Sequence, residues 1–461
     1  MNPAPPVTRM VDIFKLLLYD ERMQKSMLVV GDIAVLYLAL WLTLLLRYGS
    51  TYSEQWAIHL GPFSLIFPLW LLIFYIANIY EPSSIKNNIV FFSTFLYTML
   101  INSVLAIVFF YLAPFIQIAP RRNLLIFVLI ATLLALGWRI IYNRFLVFRG
   151  YRNNTLIVGL SDQAQELYDF LLSNTQLGYN AVGIIDVQNT AAATILEKVI
   201  REKQIKTLII AREVYAISDI VDVLYRLVPL RLRFYNLPNF AERITGKIPL
   251  AGIDQTWFLD NLSEGNKRGY ELAKRAFDIL GALVIGIITI PIFVLIIIAI
   301  KLYAPGPVFY SQQRMGRTRR PITIIKFRTM ILQAEIQGAV WAKTDDPRVT
   351  RIGKFLRATR LDELPQLLNV LSGKLSLVGP RPERPEFHDQ LNRAIPFYNE
   401  RYLIKPGLMG WAQLKYRYGA SVQDALEKLQ YDLYYIKNRS LLLDASIIVR
   451  TLNIVIRQAG K

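Results

Sequence analysis

The chain has no cysteine and only two histidines, His59 and His388, in unrelated contexts. A disulfide, a thiolate nucleophile and a cysteine-ligated metal are therefore excluded, and any catalysis must use carboxylates, hydroxyls, lysine or arginine. Acidic residues are scarce too: 34, against 53 lysines and arginines, for a net charge of +19 over 461 residues. Between Asp278 and Glu335 there is no acid at all. Such a balance suits anionic lipid, phosphorylated substrates or nucleic acid. What is abundant is apolar. Hydrophobic residues make up 54% of the chain, in long uncharged runs that indicate membrane segments within two or three domains. A membrane tether favours lipid and phosphorylated substrates and argues against nucleic acid.

Residues 1–26 form a basic lead (Arg9, Lys15, Arg22, Lys25) without a small-residue cleavage site at the right distance, so the first span is expected to stay uncleaved. Four runs, 27–46, 62–80, 89–113 and 123–148, are long enough to cross a bilayer and predict a four-helix transmembrane bundle over 27–150. The basic lead, Lys86, and Arg144, Arg149 and Arg152 place both ends of this bundle in the cytoplasm, although Arg121 and Arg122 in an outer loop go against the rule. Asp32 and Arg139 are charges inside or at the boundary of spans, and Arg139, near a helix end, is expected to snorkel to the interface.

Residues 151–240 change texture. The β-branched run Thr155-Leu-Ile-Val-Gly159 precedes an amphipathic stretch at 162–174; Ala181 to Asp186 and Lys206 to Ala211 read as further strands, followed by a helical pattern at 217–228. This alternation predicts a parallel, Rossmann-like α/β domain. The turn Val158-Gly159-Leu-Ser-Asp-Gln-Ala164 lacks the second and third glycines of a dinucleotide fingerprint, so a structural or regulatory role is expected rather than NAD binding. Pro249, Gly246, Gly252 and Gly265 among polar residues give 241–273 the look of a linker.

The apolar run Ile279 to Ile300 would span a bilayer if straight, at roughly 33 Å. Two features oppose a fifth crossing. Lys267, Arg268, Lys274 and Arg275 precede it while Lys301, Arg314, Arg317, Arg319, Arg320, Lys326 and Arg328 follow, so both flanks read as cytoplasmic; and Pro291 removes a helical hydrogen bond in the interior. A re-entrant helix over 274–303, broken at Pro291, satisfies both, and a Pro-kinked spanning helix is the alternative.

Residues 304–461 are expected to form a mainly α catalytic domain organised around Arg357-Ala-Thr-Arg360-Leu-Asp362-Glu363-Leu-Pro365 and Gly379-Pro-Arg381-Pro-Glu-Arg384. Leu361, Leu364, Leu367, Leu368 and Leu371 recur at helical spacing, and Pro365 is tolerated only in a first turn, which sets a helix start near Asp362. Carboxylates at a helix N-terminus beside four arginines make a site for phosphoryl transfer. The plain alternative is an ordinary N-cap with dipole compensation.

Further motifs follow in order: Lys274-Arg-Ala-Phe-Asp278, Lys326-Phe-Arg328-Thr-Met330, Lys405-Pro-Gly-Leu-Met-Gly-Trp-Ala-Gln413 and Tyr431-Asp432-Leu-Tyr-Tyr-Ile-Lys437-Asn438. Together with the two above, they resemble the monotopic phosphoglycosyl transferases, the bacterial polyprenyl-phosphate hexose-1-phosphate transferases, over about 267–461. The N-terminal layout is similar to the long form of that family. The resemblance implies transfer of a hexose 1-phosphate from a UDP-sugar to polyprenyl phosphate with release of UMP, as the first membrane step of exopolysaccharide, O-antigen or capsule synthesis, with the catalytic domain on the cytoplasmic face of the bacterial inner membrane. It also implies roles: Asp362 as nucleophile forming an aspartyl phosphosugar, Glu363 as a ligand of Mg2+, and Lys326, Arg328, Arg357, Arg381 and Asp432 as substrate- or phosphate-binding. Where the family's membrane helix usually breaks at Ser-Pro, this chain has Ile290-Pro291, with Thr289 adjacent. The sugar and the oligomeric state, a homodimer included, are left open; a membrane scaffold regulating polysaccharide assembly is the non-enzymatic alternative.

Overall fold

The computed structural model describes residues 21–456 apart from 81–88, 113–120, 149–152, 189–191, 231, 251–252, 263–267, 304, 333, 335–345 and 417–420. The lead up to residue 20, the loop with Lys86, and Arg149, Arg152, Gly252, Gly265, Lys267 and Glu335 thus lie outside the described residues. The chain divides into two units, 1–240 and 241–461.

The first unit opens with α1 (Glu21–Tyr48), α2 (Tyr52–Ile76), α3 (Ile89–Leu112) and α4 (Arg121–Phe148). Helix α1 packs on α2 and α4, α2 on α3, and α3 on α4. One face of each helix is buried and the other is apolar but exposed: Leu125, Leu129 and Leu133 follow one another outward at i, i+4, as do Leu96, Leu100 and Val104. A helix that is hydrophobic on both its packed and its unpacked face is built for an apolar surrounding. Stretches within Lys25–Ile76 (α1 and α2 together), Phe91–Tyr111 and Arg122–Arg144, and Gly269–Tyr303 in the second unit, are long and apolar enough to cross a membrane. Arg139 does not snorkel. It is fully buried, and its Nη2 donates to Asp32 Oδ2 at 2.6 Å, with its guanidinium over the ring of Tyr80. The opposite charge on the facing helix is a nearer partner than a distant head group, and it pairs the two buried charges with each other.

The rest of the unit is β1 (Asn153–Val158), α5 (Asp162–Ser173), β2 (Tyr179–Ile185), α6 (Ala192–Glu202), β3 (Thr207–Ile210), α7 (Ser218–Arg226) and β4 (Arg233–Asn236). The strands are all parallel in the order β2-β1-β3-β4, as the strand and helix alternation predicts; α6 and β4 had no clear sequence signal. Strand order reverses between β1 and β3, where an open α/β sheet ordinarily receives a ligand. Here Gly159, with φ +101°, lets β3's end approach so closely that a Cβ would sit 2.6 Å from Ala211 Cβ and 3.0 Å from a Val214 methyl. The single glycine of this turn serves packing.

Helix α8 (Leu237–Thr245) carries the chain into the second unit, followed by α9 (Gln255–Asn261) and α10 (Arg268–Tyr303). The segment 241–262 is not a linker. Ile248 is buried, Leu250, Ile253, Trp257 and Phe258 pack on the C-terminal core, and Gly246, at φ +69°, lies against Trp411, whose indole N–H donates to its carbonyl at 2.7 Å. Next come the antiparallel hairpin β5 (Phe309–Met315) and β6 (Pro321–Phe327), then α11 (Arg351–Ala358), α12 (Gln366–Leu371), β7 (Ser376–Val378) and α13 (Pro385–Ala394). The last elements are β8 (Gly407–Met409), parallel to β7, α14 (Trp411–Lys415), α15 (Val422–Asn438) and α16 (Leu441–Ile456). The unit is mainly helical around a core that includes Val370, Leu377, Leu391, Leu429, Leu433 and Ile436.

Helix α10 is continuous through Pro291, so the break expected there is absent. Thr289, next to it, turns its hydroxyl back onto the carbonyls of Ile285 and Gly286, at 2.8 and 3.2 Å, and does not cap a new helix start. What distinguishes this helix is its one-sided packing. Lys274, Asp278, Ala282, Ile296 and Ile300 are buried along one face, whereas Leu280, Ile287, Ile288, Leu295 and Leu302 on the other are 63–73% exposed.

Candidate active site

Helix α11 starts at an N-cap, Thr350, whose hydroxyl accepts from Gly353 N at 3.0 Å. After it Arg360 adopts a left-handed conformation, φ +57°, which turns the chain into a short 3-10 turn, Leu361–Glu363. Pro365 follows, and the next helix begins at Gln366. The acidic pair therefore sits on the 3-10 turn preceding the helix, which begins at Gln366, four residues after the start expected near Asp362; Arg360's backbone shapes that turn.

The two carboxylates are both 8% exposed and held very differently. Glu363 is gripped by a fork from Arg381, Nη2 to Oε1 at 2.5 Å and Nη1 to Oε2 at 3.3 Å, with Lys326 Nζ at 3.5 Å and Arg360 Nη1 at 3.7 Å from Oε1. Among the described residues none donates a hydrogen bond to the carboxylate of Asp362. Burial would raise Glu363, but the cations of Arg381 and Lys326 outweigh it and hold its pKa well below the usual range. Burial, together with the charge of Glu363, pushes Asp362 up to about 6 against the pull of Lys326, Arg360 and Arg381. Lys326 is itself lowered to about 8, by burial and by Arg381. Adjacent acids driven apart in pKa are a common mark of groups with different chemical tasks.

Lys326, Arg360 and Arg381 thus converge on the dyad. Arg357 stands one layer back, its Nε donating to Thr329 Oγ1 at 2.8 Å. Arg328 is placed elsewhere: it is buried, donates to the carbonyl of Pro305 at 2.9 Å, and fastens the turn from α10 to β5. Arg384 is buried over the ring of Phe387, 3.7 Å from Glu386. Asp432 is 1% exposed and paired with Arg401 at 2.9 Å. Sequence reasoning passed over Arg401, which sits in Tyr398-Asn-Glu-Arg-Tyr402 without a recognisable motif.

The Lys274 motif is structural. Lys274 bridges Asp278 at 2.9 Å and Asp444 at 3.1 Å, while Arg275 donates to the last carbonyls of α12, Val370 and Leu371, both at 2.7 Å. It clamps α10 to α12, the helix that follows the turn carrying the dyad.

Comparison with known proteins gives the context for this geometry. Residues 269–458 match the bacterial sugar transferase domain. A Caulobacter vibrioides UDP-glucose:undecaprenyl-phosphate glucose-1-phosphate transferase is 40% identical over 183 residues, 39% of this chain and 68% of the relative. The chain belongs to the bacterial sugar transferase family. Two more relatives of this family are similar over 49% of the chain: an Aeromonas hydrophila UDP-N-acetylgalactosamine-undecaprenyl-phosphate N-acetylgalactosaminephosphotransferase, 41% identical over 53% of its length, and an Escherichia coli K12 UDP-glucose:undecaprenyl-phosphate glucose-1-phosphate transferase, 42% identical over 47%. The chain's match spans about half the length of these two relatives.

Proposed function

We propose that this protein transfers a hexose 1-phosphate from a UDP-sugar to a polyprenyl phosphate such as undecaprenyl phosphate and releases UMP, as an early membrane step in making a surface polysaccharide. The names of the relatives support the reaction class. They differ in the sugar moved at nearly equal identity, so the donor is proposed as a UDP-hexose without a choice among them. The observation that carries the reading is the asymmetry of the dyad: Glu363 pinned by three cations, Asp362 buried, raised and, among the described residues, without a hydrogen-bond donor.

In the proposed chemistry an oxygen of ionised Asp362 attacks the sugar-bearing phosphorus of the donor. An Asp362–phosphorus bond forms, the bond from phosphorus to the bridging oxygen breaks, and UMP leaves with the electron pair. A phosphate oxygen of the polyprenyl carrier then attacks the same phosphorus and frees Asp362, yielding polyprenyl diphosphate-sugar. Arg381, Arg360 and Lys326 offset the negative charge that otherwise repels a carboxylate from a diphosphate. Magnesium is part of the proposal. Among the described residues no group of three acids or histidines could cage a metal, but Asp362 and ionised Glu363 suit an ion held by one or two carboxylates plus substrate phosphates. Bound there, it would supply neutralisation of the diphosphate.

One-sided packing of the unbroken α10 supports its lying along a single leaflet, with the second unit beside it and both flanks in the cytoplasm where UDP-sugars are made. A lone spanning helix would meet lipid on every side. The test is to incubate the full-length protein with a UDP-hexose and magnesium but no acceptor. One UMP per active site and a phosphosugar on the peptide carrying Asp362 are expected. UMP release only when acceptor is present, with no adduct, would overturn the covalent reading.

A further inference from the structure

Arg401 lies in the 3-10 turn Tyr398–Tyr402, 7% exposed, and both of its terminal guanidinium nitrogens are engaged. Its guanidinium lies over the rings of Tyr398 and Tyr402, at 5.1 and 5.8 Å, and Nη1 donates to the Tyr398 hydroxyl at 2.5 Å. His388 braces Tyr402 edge-on, with ring centroids 5.3 Å apart. Nη2 serves two acceptors at once, Asp432 Oδ2 at 2.9 Å and the backbone carbonyl of Arg381 at 3.0 Å. That carbonyl belongs to the residue whose side chain forks Glu363. A buried cation that holds this backbone position sets the origin from which Arg381 reaches the dyad.

We infer that Arg401, oriented by Asp432, is a positioning residue: it anchors the main chain at Arg381 and so aims the Arg381 fork at Glu363. Asp432 then acts through Arg401 and does not touch the diphosphate, since its carboxylate is 2% exposed and already paired. The inference rests on the proposed reaction for its kinetic form, but the geometric claim stands apart from it.

The variant that tests it is Arg401→Lys in the full-length protein. An ammonium keeps the charge opposite Asp432 but cannot present a planar fork to Tyr398, Asp432 and the Arg381 carbonyl together. The expected result is a kcat lower by at most about 10- to 30-fold, the cost of losing the Arg381 fork itself, with the KM for UDP-sugar within about threefold, because aim is lost and donor binding is kept. In an Arg381→Lys background the same change should cost less than about threefold, since residues acting through one another are not additive. Asp432→Asn, whose amide oxygen still accepts from Arg401, should lower kcat less than Arg401→Lys and leave the magnesium requirement unchanged. Full additivity of the two lysine variants, a purely KM effect, or a raised magnesium requirement in Asp432→Asn would overturn the inference. Amide exchange gives a reading independent of activity. Folded Arg401→Lys should lose protection at Met315 and Gly407, whose amides donate to the carbonyls of Glu383 and Pro380 at 2.8 and 2.9 Å, and keep it in α15; unaltered protection at both refutes the anchoring. If the wild type releases no UMP from any UDP-hexose, the proposed reaction fails while the exchange measurement still decides the positioning.

Discussion

Arg381→Lys is the most direct probe of the dyad, because it keeps the charge and removes only the fork. In the structure two guanidinium nitrogens meet the two oxygens of Glu363, at 2.5 and 3.3 Å, and a lysine can reproduce one of those bonds. A hydrogen bond between charged groups contributes about 1.5–3 kcal/mol. The Arg381 side chain is 34% exposed, so solvent screening places the loss at the lower end, about 1.5–2 kcal/mol. At about 1.4 kcal/mol per tenfold, that is roughly 10- to 30-fold in turnover. Lys326 and Arg360, at 3.5 and 3.7 Å, still hold Glu363 ionised, so the loss should fall on kcat more than on the fold. The assay is UMP release from a UDP-hexose with polyprenyl phosphate acceptor, beside a thermal melt. Turnover within twofold of wild type would show that the fork contributes nothing to the reaction.

Asp362→Asn should abolish turnover and adduct formation, and residual activity near wild type removes Asp362 from the nucleophile role. For the wild type, kcat/KM should rise with pH through about 6 as Asp362 loses its proton and fall through about 8 as Lys326 loses its own; a profile flat from pH 5 to 7 contradicts this. Because the folded pKa of Asp362 is raised, the protein is more stable with that group neutral. The stability is complete below the unfolded value of 3.8 and lost as pH rises through about 6, so Asp362→Asn should melt above wild type at pH 8 and level with it near pH 3. Lys274→Met leaves Asp278 and Asp444 buried without their shared cation and should cost about 3–5 kcal/mol, read as a lowered melting temperature. Single cysteines at Asp260 and Gln313, on either side of α10, should both resist an impermeant thiol reagent until cells are opened; labelling of the Gln313 site in intact cells means that the helix spans.

The parts of this molecule that were legible in the sequence are those whose signal is local. The run Thr155 to Val158 is a strand because β-branched residues fit a pleated, buried surface, and the acidic pair with Lys326 and Arg381 stood out as short motifs. What was not legible depends on partners far along the chain. Nothing near Arg139 announces Asp32, 107 positions away, so an end-of-span arginine read as snorkelling. Glycine and proline at 246–252 marked turns, and the apolar Ile248, Trp257 and Phe258 that dock those turns were outweighed by them. Arg401 is identified only by the carbonyl it meets. Pro291 misled for a different reason: a proline lacks one hydrogen bond, yet the turns on either side suffice to carry a helix through it when a packed face holds both halves.

That packed face also connects α10 to the proposed chemistry. Along β6 side chains alternate, so Lys326 faces the dyad while its neighbour Phe327 faces α10, stacked 5.5 Å from Phe309 and tilted against Phe293 at 4.7 Å. Leu356, beside Arg357, packs in the same cluster as Ile296 and Ile300. The groups proposed to bind a water-soluble donor are therefore one side chain away from the helix proposed to lie among lipid, which is where a polyprenyl phosphate would arrive. Phe293→Leu tests whether this seam serves the acceptor. It touches no member of the dyad and removes an aromatic contact worth about 0.5–1.5 kcal/mol. Adduct formation from UDP-sugar alone should stay within twofold of wild type, whereas transfer to the lipid should slow by about 3- to 10-fold, because only the second step needs the acceptor and the adduct aligned across that seam. Equal slowing of both steps would show that the seam merely supports the fold.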